Sequence, residues 1–178
     1  MLVLALLAGC LSRWLEAPYV LTTGLDGATQ LDWGPEPHTF VVTTPAGGVR
    51  IDQAGGRSPT AAPPRREALR PGAVLSYEAD EHIVWIDAVG TLREGERVIV
   101  TGLVQPRALT CDRQGRHYLV AGAPEPALYR YQEGGLVLIA EWVGPVVDVA
   151  WGSGGWLNER ALYLVRSDGI LEYLEPPP

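Results

Sequence analysis

The stretch from Val100 to Tyr131, VTGLVQPRALTCDRQGRHYLVAGAPEPALYRY, decides the fold of this chain. It contains an apolar run, a polar turn DRQG, a second apolar run, and a third run that ends in aromatic residues. Each run is short, rich in β-branched and aromatic residues, and bounded by Gly or Pro, which is typical of β-strands joined by tight turns. The stretch therefore predicts one unit of consecutive antiparallel strands.

The same order of elements recurs along the 178-residue chain, in a stretch from Leu21 to Asp52, in another from Ala140 to Tyr173, and in a shorter copy from Ala73 to Asp87. The elements VRID, VWID, LYRY and ILEY mark the copies and lie 35, 44 and 42 residues apart. Short strands at this period are typical of propeller blades, whose sheets pack face to face with their neighbours. We therefore expect an all-β fold, a small β-propeller of about four blades.

The two chain ends predict how this ring closes. Outer strands follow two of the copies, at 96–103 and 136–143, but the last copy ends at ILEYLEPPP without one. A matching strand, PYVLTTGL, stands at 18–25. We expect this N-terminal strand to complete the last blade, which removes an exposed sheet edge. The outer strand of the first blade should fall within the proline-rich stretch after Gln53.

The copies resemble NHL-type and gluconolactonase/senescence-marker-type propellers, most closely over residues 100–174. The resemblance is carried by Gly102-Leu103 and Pro106 before an inner strand, and by the turn Asp112-Arg113-Gln114-Gly115 after it. It implies blades around a central axis, and the gluconolactonase-type enzymes hold a divalent cation there with Glu, Asn and Asp side chains. This chain has a single asparagine, Asn158, in a predicted turn, so no metal ligands are assigned and no cofactor is expected.

Other catalytic patterns are not found. Gly152-Ser153-Gly154 lacks the spacing of a nucleophile elbow. His38, His82 and His117 lie near strand starts in different copies without metalloprotease spacing, so we interpret them as structural or solvated. Cys111 stands in an apolar strand and is expected to be a buried structural thiol. We predict no catalytic residue and no enzyme activity, with a metal-dependent gluconolactonase-like hydrolase as the alternative.

The N-terminus predicts export. Residues 1–9, MLVLALLAG, are too short to cross a bilayer but have the length of a signal-peptide core. The four residues Leu7-Ala8-Gly9-Cys10 resemble the lipobox of bacterial lipoproteins, in which the signal is removed before a cysteine that carries the lipid. We therefore expect a signal peptide at 1–9, a tether at 10–17 lipidated on Cys10, and a propeller domain at 18–178. A cytosolic propeller with a buried N-terminal strand is the alternative.

The segment Arg57–Pro71, RSPTAAPPRREALRP, is rich in proline and arginine. Its composition predicts an irregular loop rather than a regular strand. It is either a solvated loop or a basic arm that touches anionic headgroups or an acidic partner. The chain as a whole has a formal net charge of −7, which opposes binding to nucleic acid.

The tryptophans divide into two sets. Trp33 and Trp151 end equivalent inner strands and are expected to wedge between blades. Trp85, Trp142 and Trp156 either pack in the core or line a sugar- or peptide-binding face.

A propeller ligand binds over the central axis, where loops from all blades converge. The candidate binding residues in those loops are Asp26, Asp80, Glu81, Arg107, Glu125 and Asp168. Together these observations predict a lipid-anchored protein of the bacterial cell envelope, on the periplasmic face or the outer membrane. Its domain is expected to bind a protein or glycan partner without catalysis.

Overall fold

A computed structural model describes residues 18–79, 82–122, 126–132, 134–141, 144–152 and 161–175. These residues form strands and turns but no helix, and so none of them forms a helix long and apolar enough to span a bilayer. The predicted signal peptide and tether, including Cys10, lie outside the described residues.

Sixteen strands in the described ranges form four antiparallel sheets of four strands each, arranged as a four-bladed propeller. Blade one contains β2 (Gln30–Trp33), β3 (Thr39–Thr44), β4 (Gly47–Asp52) and β5 (Arg57–Thr60). Blade two contains β6 (Ala73–Ala79), β7 (His82–Asp87), β8 (Leu92–Glu94) and β9 (Arg97–Val100). Blade three contains β10 (Ala108–Cys111), β11 (His117–Ala121), β12 (Ala127–Gln132) and β13 (Gly135–Ala140). Blade four contains β14 (Val146–Trp151), β15 (Leu162–Arg166), β16 (Asp168–Leu174) and, as its outer strand, β1 (Tyr19–Asp26).

The fold prediction is confirmed, including the closure of the ring. β1 pairs antiparallel with β16, from Tyr19 opposite Tyr173 to Asp26 opposite Asp168, so the N-terminal strand completes the last blade. The predicted outer strands of blades two and three correspond to β9 and β13. The first strand of each blade lies at the axis, because β14 packs against both β2 and β10, and β10 packs against β6.

One prediction about the proline- and arginine-rich segment is wrong. Its first four residues form the strand β5, which pairs with β4 and places Pro59 opposite Val49. Proline is tolerated there because β5 is the outermost strand of its blade, where a missing N–H costs no ladder hydrogen bond. Residues 61–72 form no strand, and we refer to residues 61–70 as the strap.

Apolar clusters fill three of the four seams between blades. Leu31, Phe40 and Ile51 of blade one pack with Tyr163 and Leu171 of blade four. Similar clusters join blade three to blade four and blade two to blade three. Among the described residues no such cluster joins blades one and two, and their inner strands, β2 and β6, make no comparable contact. The strap lies at this fourth seam, since it bonds to β2 at Gln30 and to β6 at Ser76.

The closure of blade four depends on a close approach at Gly169. This residue has φ of +89°, and a Cβ atom there would lie 2.8 Å from the backbone nitrogen of Asp26 in β1. Gly134 has a similar φ of +88°, but a Cβ atom there would meet nothing within 4 Å. Substitutions at these two glycines therefore distinguish the cost of a left-handed backbone from the cost of a steric contact with β1.

We expect Gly134→Ala to lower the free energy of unfolding by about 1 kcal/mol, from the left-handed backbone alone. Gly169→Ala should cost about 1–3 kcal/mol more, because its methyl group also pushes β1 from β16. Urea denaturation of both variants measures the difference. Equal losses would show that the contact between β1 and β16 does not constrain closure.

Candidate functional site

The axis of the propeller holds a cavity of about 560 Å³. The second halves of all four inner strands line it, so we call the face where these strands end the distal face, and the face where they begin the proximal face. The volume falls within the range of ~300–1,000 Å³ that is typical of small-molecule sites. The lining combines apolar and aromatic side chains with polar and charged ones, among them Asp32, Trp33, Glu67, Tyr77, Glu78, Cys111, Arg113 and Trp151.

The strap forms the proximal boundary of this cavity. Arg66 and Glu67 border both the distal cavity and a smaller pocket of about 190 Å³ on the proximal side. The backbone N–H of Arg66 donates to Oε1 of Gln30 at 3.2 Å, and Nε2 of Gln30 donates to the carbonyl oxygen of Pro64 at 3.1 Å. The strap is thus fixed against the first residue of β2.

The Arg66 guanidinium ties two blades together. Its Nε lies 2.9 Å from Oδ1 of Asp32 in blade one, and its Nη2 lies 3.3 Å from Oδ2 of Asp148 in blade four. The same Nη2 also donates to the carbonyl oxygen of Leu31. A planar guanidinium with several donors suits this arrangement of carboxylate and carbonyl acceptors. The Arg66 guanidinium therefore has acceptors in both blades, namely the Asp32 carboxylate and the Leu31 carbonyl in blade one and the Asp148 carboxylate in blade four.

Asp148 is the deeply buried member of this group. Its carboxylate accepts from the backbone N–H groups of Leu31 and Val149, at 2.8 and 2.9 Å. Burial raises the pKa of Asp148 to about 6, although Arg66 and the two N–H groups favour the charged form. A buried carboxylate needs such partners, because removal from water strongly disfavours its charge.

A second polar contact crosses the seam between blades two and three. The Tyr77 hydroxyl of β6 bonds to Nδ1 of His117 in β11, and the His117 ring stacks on Tyr131 at 6.2 Å between centroids. Burial lowers the pKa of His117 and raises that of Tyr77, so both side chains favour their neutral forms. His117 is buried within the fold, as its structural interpretation predicts. Cys111, expected to be a buried structural thiol, is half-buried and lines the distal cavity beside Tyr77.

The described tryptophans take two kinds of position. Trp33 and Trp151 end the inner strands of blades one and four, as predicted, and both line the distal cavity. Trp151 stacks on Tyr118 across the seam between blades three and four, with centroids 5.4 Å apart. Trp85 lies instead beneath Arg70 and Arg93, whose guanidinium carbons are 5.4 and 5.5 Å from its ring. Trp142 and Trp156 lie outside the described residues.

Three of the predicted binding residues are described, and all three lie on the proximal face. Asp26 and Asp168 stand opposite each other in the outer strands of blade four, where Asp168 pairs with Arg166. Arg107 immediately precedes β10 and borders the proximal pocket. Neither aspartate borders that pocket. The structure thus brings the two aspartates together and places Arg107 apart from them, near the axis. Asp80, Glu81 and Glu125 lie outside the described residues.

Sequence reasoning missed the residues that divide the axis, namely Gln30, Asp32, Arg66 and Asp148. One signal was present, because Asp148 interrupts the apolar run VVDVAW and a charge inside a buried strand requires a partner. Nothing in the spacing of the repeats indicates that this partner comes from the strap.

Comparisons with known proteins add no function to this geometry. No protein family model matches the sequence, and no curated protein is significantly similar to it. Within the described ranges, no three His, Cys, Asp or Glu side chains come together in a way that could hold a metal ion.

The raised pKa of Asp148 gives a testable dependence of stability on pH. In the folded protein the Asp148 carboxyl keeps its proton up to about pH 6, whereas its ordinary pKa is 3.8. The protonated carboxyl therefore contributes fully to the free energy of unfolding below about pH 4, and this contribution is lost as the pH rises to about 6. We expect the free energy of unfolding of the unaltered protein, relative to Asp148→Asn, to fall by about 3 kcal/mol over that interval. Urea titrations of both proteins across this range measure it. A difference that does not change with pH would contradict the assignment.

Proposed function

We propose that this protein is a lipid-anchored binding protein of the bacterial cell envelope, with a non-catalytic propeller that holds a glycan or protein partner at its distal cavity. The observation that carries the binding role is the lining of that cavity, which places tryptophan side chains beside carboxylates on the axis of a rigid ring. The envelope location rests on the sequence around Cys10.

The chemistry of the cavity favours a glycan over a flat protein surface. Aromatic rings offer a large apolar contact for the C–H faces of a sugar, and carboxylates accept hydrogen bonds from its hydroxyl groups. Trp33 is half-buried at the cavity wall, and Glu67 and Glu78 border the same space. Nε1 of Trp151 is a buried donor with no hydrogen-bond partner among the described residues, and a sugar oxygen would satisfy such a donor.

The direction of β1 supports this proposal. β1 runs antiparallel to the inner strand of its own blade, so it begins on the distal face at Tyr19 and ends on the proximal face at Asp26. A tether at 10–17 would then join the propeller on its distal side. The cavity would face the surface to which the lipid is attached, where envelope glycans are within reach.

Lipidation is tested by the intact mass of the chain extracted with detergent from its own host. We expect a chain that begins at Cys10 and carries the added mass of acyl groups, because the thiol accepts the lipid before the signal is removed. The Cys10→Ser variant should retain Met1 and gain no acyl mass. An unmodified wild-type chain that retains Met1 would contradict the envelope location.

Glycan binding is tested by co-sedimentation with purified peptidoglycan sacculi, which pellet together with any bound protein. We expect Trp33→Ala to weaken binding about tenfold, as the loss of a central aromatic contact typically does. Tyr19→Ala is the matched control, since Tyr19 is an exposed aromatic residue on the outer strand of blade four.

Equal weakening in both variants would place binding away from the cavity. Absence of sedimentation for the wild-type chain would contradict a peptidoglycan ligand.

A further inference from the structure

The proximal pocket is lined by more arginine side chains than carboxylates. It lies where the inner strands begin, and Arg65, Arg66 and Arg107 all border it. Thr29, Gln30 and Ser76 contribute further polar groups to the same wall. This pocket adjoins the distal cavity, with which it shares Arg66, Glu67, Ser76 and Leu109, but it lies on the proximal side of the strap and has no aromatic residue in its lining.

Arg107 is the least satisfied of these arginines. Its Nε atom is buried and has no hydrogen-bond partner, and no described residue forms an ion pair or hydrogen bond with its guanidinium. A buried N–H of a charged group that lacks an acceptor is costly, because the group has lost water without compensation. The position of Arg107 therefore indicates a missing acceptor.

Arg65 is the one arginine of residues 57–71 without a partner among the described residues. Arg57 donates to the carbonyl oxygens of Thr23 and Gly24, Arg66 pairs with Asp32 and Asp148, and Arg70 pairs with Glu96. These contacts hold three of the four arginines that the sequence suggested for a basic arm against the propeller. Arg65 remains, exposed and beside the same pocket as Arg107.

The acidic side chains at the pocket are too few to neutralise its arginines. Asp148 is already engaged by Arg66 and by two backbone N–H groups. Glu67 also borders the pocket but has no ion pair with either arginine among the described contacts. Three arginines against two carboxylates give the pocket a formal charge of +1 within a chain of net charge −7. A local positive site on an acidic protein concentrates anions.

We propose that the proximal pocket is a binding site for a phosphate group, held by Arg107 and Arg65 at the mouth of the axis. Guanidinium groups bind phosphate oxygens through paired, charge-assisted hydrogen bonds, and the buried Nε of Arg107 would gain its acceptor. The pocket volume of about 190 Å³ accommodates a phosphate with a small attached group, but not a large ligand. This site does not depend on glycan binding at the distal cavity.

Two sources of phosphate fit this chemistry, a soluble phosphate monoester and the phosphodiester of a lipid headgroup. Isothermal titration calorimetry of the detergent-solubilised full chain, at constant ionic strength, tests both with glycerol 3-phosphate and with the water-soluble headgroup glycerophosphoglycerol. Saturable binding of either probe is expected. Tighter binding of the monoester identifies a soluble ligand, and tighter binding of the diester identifies a lipid headgroup.

The variants decide whether the pocket is responsible. Arg107→Gln should weaken binding at least about tenfold, and Arg65→Gln by a smaller factor because Arg65 is exposed. Arg107→Lys retains the charge but lacks Nε, so we expect partial loss, and thermal unfolding of each variant verifies that it is folded. Arg97→Gln is the control, since it removes the same charge from the outer strand of blade two, where its side chain is 67% exposed.

Two results would overturn the proposal. One is the absence of saturable binding of both probes by the wild-type chain. The other is unchanged affinity in a folded Arg107→Gln variant.

Discussion

The ring depends on the ion pairs that the Arg66 guanidinium forms with Asp32 and Asp148. Three seams of the propeller are filled by apolar side chains, and such burial is the ordinary means of joining sheets face to face. The seam between blades one and two has no equivalent cluster among the described residues. There the strap connects the blades through directional polar contacts, and Arg66 extends this connection to blade four. Because a buried carboxylate without its partner is strongly destabilising, Asp148 makes the position of the strap specific.

The strap also determines how the axis can be used. By lying across it at Arg66 and Glu67, the strap separates an aromatic and acidic cavity on the distal side from an arginine-lined pocket on the proximal side. An uninterrupted channel would expose both sets of side chains to one ligand. The division instead allows two ligand chemistries on one small ring. Arg57, Arg66 and Arg70 remain partly exposed to solvent, but each of them bonds to the blades beside it.

The architecture could be predicted from the sequence because it depends on repeated local patterns. Four copies of short apolar strands, and an N-terminal strand that matches the one missing from the last copy, specify the blades and their closure. The site could not be predicted equally well, because it is formed by a segment outside the repeat. Arg66 lies 34 residues from Asp32 and 82 from Asp148, and no spacing rule joins them. Arg107 was identified from its place before an inner strand, whereas the composition of residues 57–71 indicated a loop although Arg57–Thr60 form an edge strand.

The most direct test of this account is a double-mutant cycle between Arg66→Gln and Asp148→Asn, measured by urea unfolding at pH 7. If the guanidinium and the carboxylate stabilise the ring as a pair, Arg66→Gln should lose more stability in the chain that carries Asp148 than in the Asp148→Asn background. The two losses should differ by a coupling energy of about 1–3 kcal/mol. Additive losses, with a coupling energy near zero, would show that the strap lies at the axis without holding the blades together.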